Sequence, residues 1–335
     1  MNSKQYKDER AYLGNRAQVF GVKPYTMTDG AADGLRAMEL YNRAGLRMTL
    51  LPGRGLDIGE LSYKGENLAF ISPSGYVDSG MCQPNDQWTR SFTGGFLTTC
   101  GLANVGRPCD VDGKHYSQHG LLSHIPAEAV SITEGGDEAN PVITVSGTVR
   151  EATIFGYQFA LRRSISLGYN DRFFTIHDRI ENIGYTAHPY LVLYHFNFGF
   201  PFLDEQTTVD VDALHCEARD SEAEGGIAEH LRYNEPIPGY KEQCFFYQVK
   251  DRDGRATAGL KSPNTGLRCD IEYPKDPLHN LVQWKHMGAG EYVTALEPAN
   301  CEVAGRLGEL EKTGLTMLAP GEVKDLTLRI TIGQL

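Results

Sequence analysis

Short runs of alternating apolar and polar residues, cut repeatedly by Gly, Pro, Asn and Asp, constrain this chain more than any other feature. Leu46-Arg47-Met48-Thr49-Leu50-Leu51 ends at Pro52-Gly53, and Leu56-Asp57-Ile58-Gly59-Glu60-Leu61 turns at Lys64-Gly65. Val142-Ile143-Thr144-Val145, Phe159-Ala160-Leu161 and Ser164-Ile165-Ser166-Leu167 show the same period of two. The turn Gly168-Tyr169-Asn170-Asp171 leads into Phe173-Phe174-Thr175-Ile176. A side-chain period of two between turn signals is the signature of half-buried strands in a sandwich or barrel. Residues 217–231 have room for one short helix, interrupted at Gly225-Gly226. The last stretch predicts two strands around Pro320-Gly321, which builds the C-terminus into a sheet. The expected fold is therefore all-β, a large antiparallel sandwich with few short helices. No linker, composition shift or repeat divides the chain, so residues 1–335 are expected to form one domain; how the first 40 residues join the sheet stays open.

Composition narrows the partners. With 22% charged and 41% hydrophobic residues the chain reads as globular. Its 43 acidic against 32 basic residues leave a net charge of −11, which argues against nucleic acid, whose phosphates need a basic patch, and against an anionic membrane surface. The seven cysteines are scattered, without a CxxC. No apolar run comes after the charged N-terminus, and none is long enough to span a bilayer. The expectation is a reduced, cytoplasmic protein; the sequence leaves a homodimer open.

Three places carry residues suited to chemistry. His115, His119 and His124 crowd around Gly120. Their spacing would suit zinc on a helix, but Gly113, Gly120 and Pro126 oppose a helix there, and a polar loop of solvated imidazoles is the plainer reading. In Leu191-Val192-Leu193-Tyr194-His195-Phe196-Asn197, strand alternation puts His195 on one face with Leu191, Leu193 and Asn197. His195 is then either a satisfied core histidine or a site residue near a strand end. Glu297 closes a mostly apolar strand just before Pro298. It either faces water at an edge, or is buried and therefore paired or used.

Taken in order, these segments resemble the aldose 1-epimerase (galactose mutarotase) superfamily, in a divergent branch. The matches are His119-Gly120, then His195-Phe196-Asn197-Phe198-Gly199, then Leu296-Glu297-Pro298, and the closing Leu318-Ala319-Pro320-Gly321-Glu322. They span roughly residues 90 to 335. Pro52-Gly53-Arg54-Gly55-Leu56-Asp57-Ile58-Gly59 resembles a subgroup of uncharacterised members. The chain departs from galactose mutarotases in the residues just after His119-Gly120 and in offering no placed match for their sugar-binding Asp. It departs from sugar-phosphate mutarotases in having Ser123-His124 where they carry Arg.

The resemblance implies an enzyme that binds a free sugar and interconverts its anomers without a cofactor or metal. It implies Glu297 as the carboxylate that takes the anomeric proton, His195 as the protonated imidazole that donates to the ring oxygen, and His119 as an aid to binding and polarisation. Further candidates for the sugar are Arg90, with Arg107 as competitor, and Arg54, His124, Asn197, Lys285 and Trp284. Convergence of Arg54, Arg90 and Lys285 would favour an acidic sugar. Two other sugar-active enzymes, a lyase and a metal-dependent epimerase or isomerase, remain alternatives, as does a non-catalytic sugar-binding protein. Fold alone does not separate them.

Overall fold

The computed structural model describes residues 5–82, 88–312 and 314–335. The alternating segments form two large antiparallel sheets. In spatial order the first runs Gly21–Thr26, Arg36–Tyr41, Leu46–Leu51, Asp57–Tyr63, Leu97–Leu102, Leu191–Phe198, Glu291–Ala299, Asn280–Gly288, Gln243–Val249 and Ala213–Ala218, with Glu66–Asn67 added beside Asp57–Tyr63. The second runs Thr208–Val211, Arg255–Ser262, Leu267–Pro274, Val323–Gln334, Phe173–Asn182, Gln158–Gly168, Pro141–Ala152 and Glu128–Gly136. Residues 21–41 thus supply an edge of the first sheet, and the C-terminal strand lies in the middle of the second.

Each periodic segment buries one face. In Pro141–Ala152 the residues Ile143, Val145 and Val149 point inward while their neighbours are more exposed, as a half-buried strand requires. They share one core with Phe196 and Phe198 of the first sheet and with Phe96 just before its strand Leu97–Leu102. The strand Leu191–Phe198 is different, since all eight of its residues are buried. Its second face lies under a smaller apolar cluster that includes Trp88, Phe92, Val105, Leu193 and Val282. A strand buried on both faces in an antiparallel sheet means that its outer face is covered, and the candidate site lies under that cover.

The helix content differs from expectation in two places. Within 217–231 the structure has a strand end, the four-residue helix Ser221–Glu224 and a single 3₁₀ turn at Ile227–Glu229. The longer helix, Gly305–Lys312, was not anticipated. Its apolar Leu307 and Leu310 face solvent while Arg306 and Glu309 are buried, the reverse of an amphipathic signal. The Arg306 backbone N–H donates to Asn104 Oδ1 at 2.6 Å, and its guanidinium donates to Ala103 O at 3.0 Å. The helix is therefore held by a buried polar clasp to the loop around residues 103–106.

Between the sheets lies a fully buried guanidinium. Arg163, on the second sheet, donates from Nε and Nη2 to the two Asp178 carboxylate oxygens at 2.9 and 2.6 Å. Nη1 reaches across to Asp57 Oδ1 of the first sheet at 2.7 Å, and Nη2 also donates to Thr99 Oγ1 at 2.9 Å. The Asp57 carboxylate accepts from the Thr99 hydroxyl at 2.6 Å and the Thr99 N–H at 3.0 Å, and the Tyr194 hydroxyl donates to Asp178 at 2.7 Å. Burial pushes the Asp57 carboxyl up, and Arg163 beside it pulls the other way. Removing one member of such a network strands a buried charge, typically at about 3–5 kcal/mol. Arg163→Met is expected to lower urea-unfolding stability by about that amount; a change under about 0.5 kcal/mol would show that the network does not hold the sheets together.

Candidate active site

The register of the first sheet assembles the site. Phe196 pairs with Leu296 and Asn197 with Ala295, which sets His195 directly opposite Glu297 on neighbouring antiparallel strands. Glu297 is in turn opposite Val282, and Ala295 opposite Trp284, which faces Cys244. Because side chains alternate, His195, Glu297, Trp284 and Cys244 emerge on one face. Arg219 joins that row, its backbone N–H donating to Cys244 O at 3.0 Å. Tyr194 and Phe196 point to the opposite, core face.

These side chains line a cavity of about 280 Å³ together with Trp88, Thr89, Phe92, Gly106, Arg107, Pro108, Gln118, His119, Glu242 and Val303. Trp88 stacks on Phe92 with centroids 4.4 Å apart, and the His119 ring lies 4.6 Å from Trp88. Edge contacts join His195 to Phe92 at 5.6 Å and to Trp284 at 5.5 Å. Rigid aromatic walls around two titratable groups form the innermost part. At the rim, Glu242 accepts from Trp284 Nε1 at 2.9 Å and from Arg219 Nη2 at 3.1 Å. Arg219 also donates to Asp220 at 2.8 Å and to Cys244 Sγ at 2.8 Å.

The His-Gly turn has a local cause. His119 sits at φ +55° and Gly120 at +71°; the first is uncommon for a residue with a Cβ, and such strain concentrates at functional sites. A side chain at Gly120 would collide with the backbone oxygens of Gly101 and Asn104, so only glycine permits this approach. The turn is fixed by His119 N–H donating to Gly106 O at 2.9 Å and Gly101 N–H donating to His119 O at 3.0 Å. Gly106 N–H also points at His119 Nδ1 from 3.4 Å. That leaves Nε2 to carry the proton.

His195 Nε2 lies 3.2 Å from Glu297 Oε1. The contact is close but not aligned as a hydrogen bond, and Glu297 Oε1 and His195 Nδ1 are buried without a hydrogen-bond partner among the described residues. Catalytic contacts are often loose before substrate binds. Burial pushes the Glu297 carboxyl well above the usual range, with Glu242 adding to the rise and Arg219 opposing it. Burial pulls His195 down to about 3, with His119 nearby adding to the fall, and pulls His119 down to about 4. Burial therefore drives both members of the pair toward their uncharged forms, opposite to the carboxylate and imidazolium expected from the resemblance.

Residues 32–332 match the family described as DUF4432, a domain of unknown function. The chain belongs to the DUF4432 family. No curated protein shows a significant match in sequence. Among solved structures, a protein from Klebsiella pneumoniae named only provisionally as an aldose 1-epimerase is 22% identical, with a TM-score of 0.90 over 97% of this chain and 86% of its own. A galactose mutarotase-like protein from Clostridium acetobutylicum is 15% identical, with a TM-score of 0.65 over 95% of this chain and 100% of its own. A galactose 1-epimerase from Lactobacillus acidophilus is 14% identical, with a TM-score of 0.58 over 94% and 99%. At these identities the likeness establishes the fold: this DUF4432 chain is a galactose-mutarotase-like β-sandwich.

Of the residues singled out from sequence, Glu297, His195, His119, Trp284 and the competitor Arg107 line the cavity of this DUF4432 protein. The other candidates do not. Arg54 is buried as a loop clasp, donating to Ser123 O at 2.6 Å, Val77 O at 2.7 Å and Ser91 O at 3.1 Å. His124 Nε2 meets Ser91 Oγ at 3.2 Å. Lys285, on the opposite face from Trp284, donates to Glu229 O at 2.9 Å and lies over the Tyr233 ring; burial lowers it to about 8. Arg90 is exposed outside the cavity. Asn197 shares the face of His195, but its amide donates to Gly94 O, Gly95 O and His195 O. Arg54, Arg90 and Lys285 thus do not converge. His115 pairs with Asp110 at 3.0 Å on a separate hairpin, and among the described residues no three His, Cys, Asp or Glu side chains gather as a metal-ligand set. Nor do the described residues include a helix long and apolar enough to cross a membrane. Arg219, Glu242, Cys244 and Gln118 had no distinguishing local pattern.

The depressed imidazoles have a consequence for stability. In the unfolded chain His119 and His195 take up protons below about pH 6.5, while the folded protein resists until near pH 4 and 3. Stability therefore falls as pH drops through that window, by about 2–3 kcal/mol for each group at pH 4.5. The raised Glu297 has the opposite sign: its contribution is present at low pH and is lost as pH rises above the unfolded carboxyl value. Between pH 6.5 and 4.5, His119→Gln should lose less stability in urea titrations than wild type, by about 2 kcal/mol; equal slopes would contradict the assignment.

Proposed function

We propose that this protein interconverts the anomers of a free monosaccharide by acid–base ring opening and closure at Glu297 and His195. The observation that carries the reading is the buried Glu297–His195 contact at 3.2 Å, lining an aromatic-walled cavity and holding atoms that no other described protein group satisfies. Anomerisation takes one proton from the anomeric hydroxyl and delivers one to the ring oxygen. The C1–O5 bond then opens to the carbonyl form, C1–C2 rotates, and reclosure reverses the transfers. Two proton-exchanging groups side by side meet that requirement within one bound geometry.

The remaining lining suits a sugar. His119 offers Nε2–H as a neutral donor. Trp284, Trp88 and Phe92 offer apolar faces, while Glu242, Arg219 and Gln118 offer hydroxyl partners at the rim. A volume of about 280 Å³ is at the low end for small-molecule sites. It suits a single ring better than the extended groove a polysaccharide lyase needs. The fold permits a non-catalytic sugar-binding role, and activity separates the two.

Saturation-exchange NMR over a panel of free aldoses, ketoses and uronic acids provides the test. One sugar class should show enhanced anomer exchange, reduced about 10²-fold or more in Glu297→Gln and in His195→Asn. Exchange unchanged in both variants, or no enhancement for any sugar with folded protein, would overturn the proposal.

A further inference from the structure

Two arginines line the cavity, and they are held differently. Arg219 is spent: Nε donates to Asp220 at 2.8 Å, Nη1 to Cys244 Sγ at 2.8 Å and Nη2 to Glu242 at 3.1 Å. The second oxygen of Glu242 accepts from Trp284 Nε1 at 2.9 Å. This side of the rim therefore balances its own charge and pins the Trp284 ring. Arg107 is the opposite case. It is exposed, and among the described residues its guanidinium meets no carboxylate and no other acceptor. Gln118, also in the lining, likewise carries a side-chain amide without a described partner.

The Arg107 backbone, by contrast, is locked. The fully buried Asn104 donates from Nδ2 to Arg107 O at 3.0 Å and to Ser117 O at 2.8 Å, and its Oδ1 accepts the Arg306 N–H at 2.6 Å. One amide thus ties together the loop bearing Arg107, the turn bearing His119 and the start of helix Gly305–Lys312. Gly106 and Gly305, at φ +83° and +80°, let the two loops lie against each other. A side chain at Gly106 would strike Val303 O, and one at Gly305 would strike Arg107 O. Gly106 O also accepts the His119 N–H at 2.9 Å. Arg107 and His119 therefore reach the cavity from one rigid unit. A guanidinium on a fixed base costs little backbone ordering when it binds, and it matches a carboxylate with two parallel hydrogen bonds.

We propose that the sugar carries a carboxylate on the carbon next to its ring oxygen, as hexuronates do, and that Arg107 is the specificity-determining residue that binds it. This rests on the anomerisation reading of the same cavity and narrows its substrate from free monosaccharides to uronic acids. The chemistry of the ring fits the layout. In a hexuronate pyranose O5 lies between C1 and C5, and C5 bears the carboxylate. A ring with C1 at the Glu297–His195 pair and O5 toward His119 turns its carboxylate toward the loop tied to His119, which carries Arg107. Charge favours a carboxylate over a phosphate ester. One uncommitted guanidinium balances one negative charge. A phosphate dianion leaves one unanswered in a protein of net charge −11, with Glu242 and Glu297 in the same cavity. At an exposed rim such a pair is weakened by salt. Arg54, Arg90 and Lys285, the cations first considered for an acidic sugar, play no part in it.

Both tryptophans of the chain, Trp88 and Trp284, line the cavity, so intrinsic fluorescence reads its occupancy without turnover. The test is titration of wild type, Arg107→Gln and Arg90→Gln with glucuronate, galacturonate and mannuronate beside glucose, galactose and mannose, at low and high salt. In wild type at least one hexuronate should bind about 10-fold or more tightly than its parent hexose, by a margin that shrinks with salt. In Arg107→Gln that ratio should fall to about one, while Arg90→Gln, outside the cavity, keeps it. Equal affinity for hexuronates and hexoses in wild type, or a preference that survives in Arg107→Gln, would overturn the inference. Anomer exchange on the same panel separates it from the reading beneath it. Exchange confined to neutral sugars would overturn the uronate inference and leave anomerisation standing. A hexuronate preference lost in Arg107→Gln, with no exchange of any sugar, would keep the carboxylate site and remove the anomerase.

Discussion

Arg163 sits between the two sheets with no exposure to water, and the rest of the architecture is arranged around its satisfaction. An isolated guanidinium at that depth would be prohibitive. Here Asp178 comes from its own sheet and Asp57 from the other, while Thr99 and Tyr194 fill the remaining positions. The network therefore ties the strands Asp57–Tyr63, Leu97–Leu102 and Leu191–Phe198 to the second sheet. The last of these strands also carries His195 into the cavity. Tyr194 reaches into the network from one face of the central strand, and the next residue, His195, enters the cavity from the other. A one-residue slip would exchange the two faces, so the buried ion cluster also fixes which side chain the cavity receives.

The contrast between the carboxylates around Arg163 and Glu297 gives the molecule its chemical logic. Where a cation and donors are supplied, the carboxylates serve structure. Where they are withheld, at Glu297, the group is left with a titratable neighbour and an open cavity. The aromatic walls and the shared loop contacts of His119 hold the imidazoles in place without stabilising their charge. Helix Gly305–Lys312 contributes at a distance, through its clasp on Asn104 and Ala103, to the loop that supplies Gly106 and Arg107 to the cavity.

Much of the fold was legible because period-two burial is a local property. The segments beginning at Leu46, Val142, Phe173 and Glu291, and the pair around Pro320-Gly321, all appear as strands. Phe159–Leu161 and Ser164–Leu167 merge into one longer strand. Helix Gly305–Lys312 stayed hidden because its polar residues face inward. At the site, residues in distinctive motifs were legible, whereas those defined by strand neighbours were not. Arg219, Glu242 and Cys244 come together beside Trp284 through the order of Ala213–Ala218, Gln243–Val249 and Asn280–Gly288 in the sheet, which no local pattern reveals. Arg54 illustrates the converse, since a loop arginine looks the same in sequence whether it awaits a ligand or is spent on three carbonyls. Asn197 was placed on the correct face, but its amide is committed to backbone oxygens.

The central claim is that the Glu297–His195 pair meets the anomeric centre of one sugar ring. A crystal structure of the Glu297→Gln variant with the monosaccharide identified by exchange NMR tests it most directly. The account predicts C1 at the inner end of the cavity, with O1 and O5 each within about 3.2 Å of the side chain at 297 or of the His195 ring. A sugar bound with C1 toward the rim, or bound elsewhere on the sandwich, would contradict it.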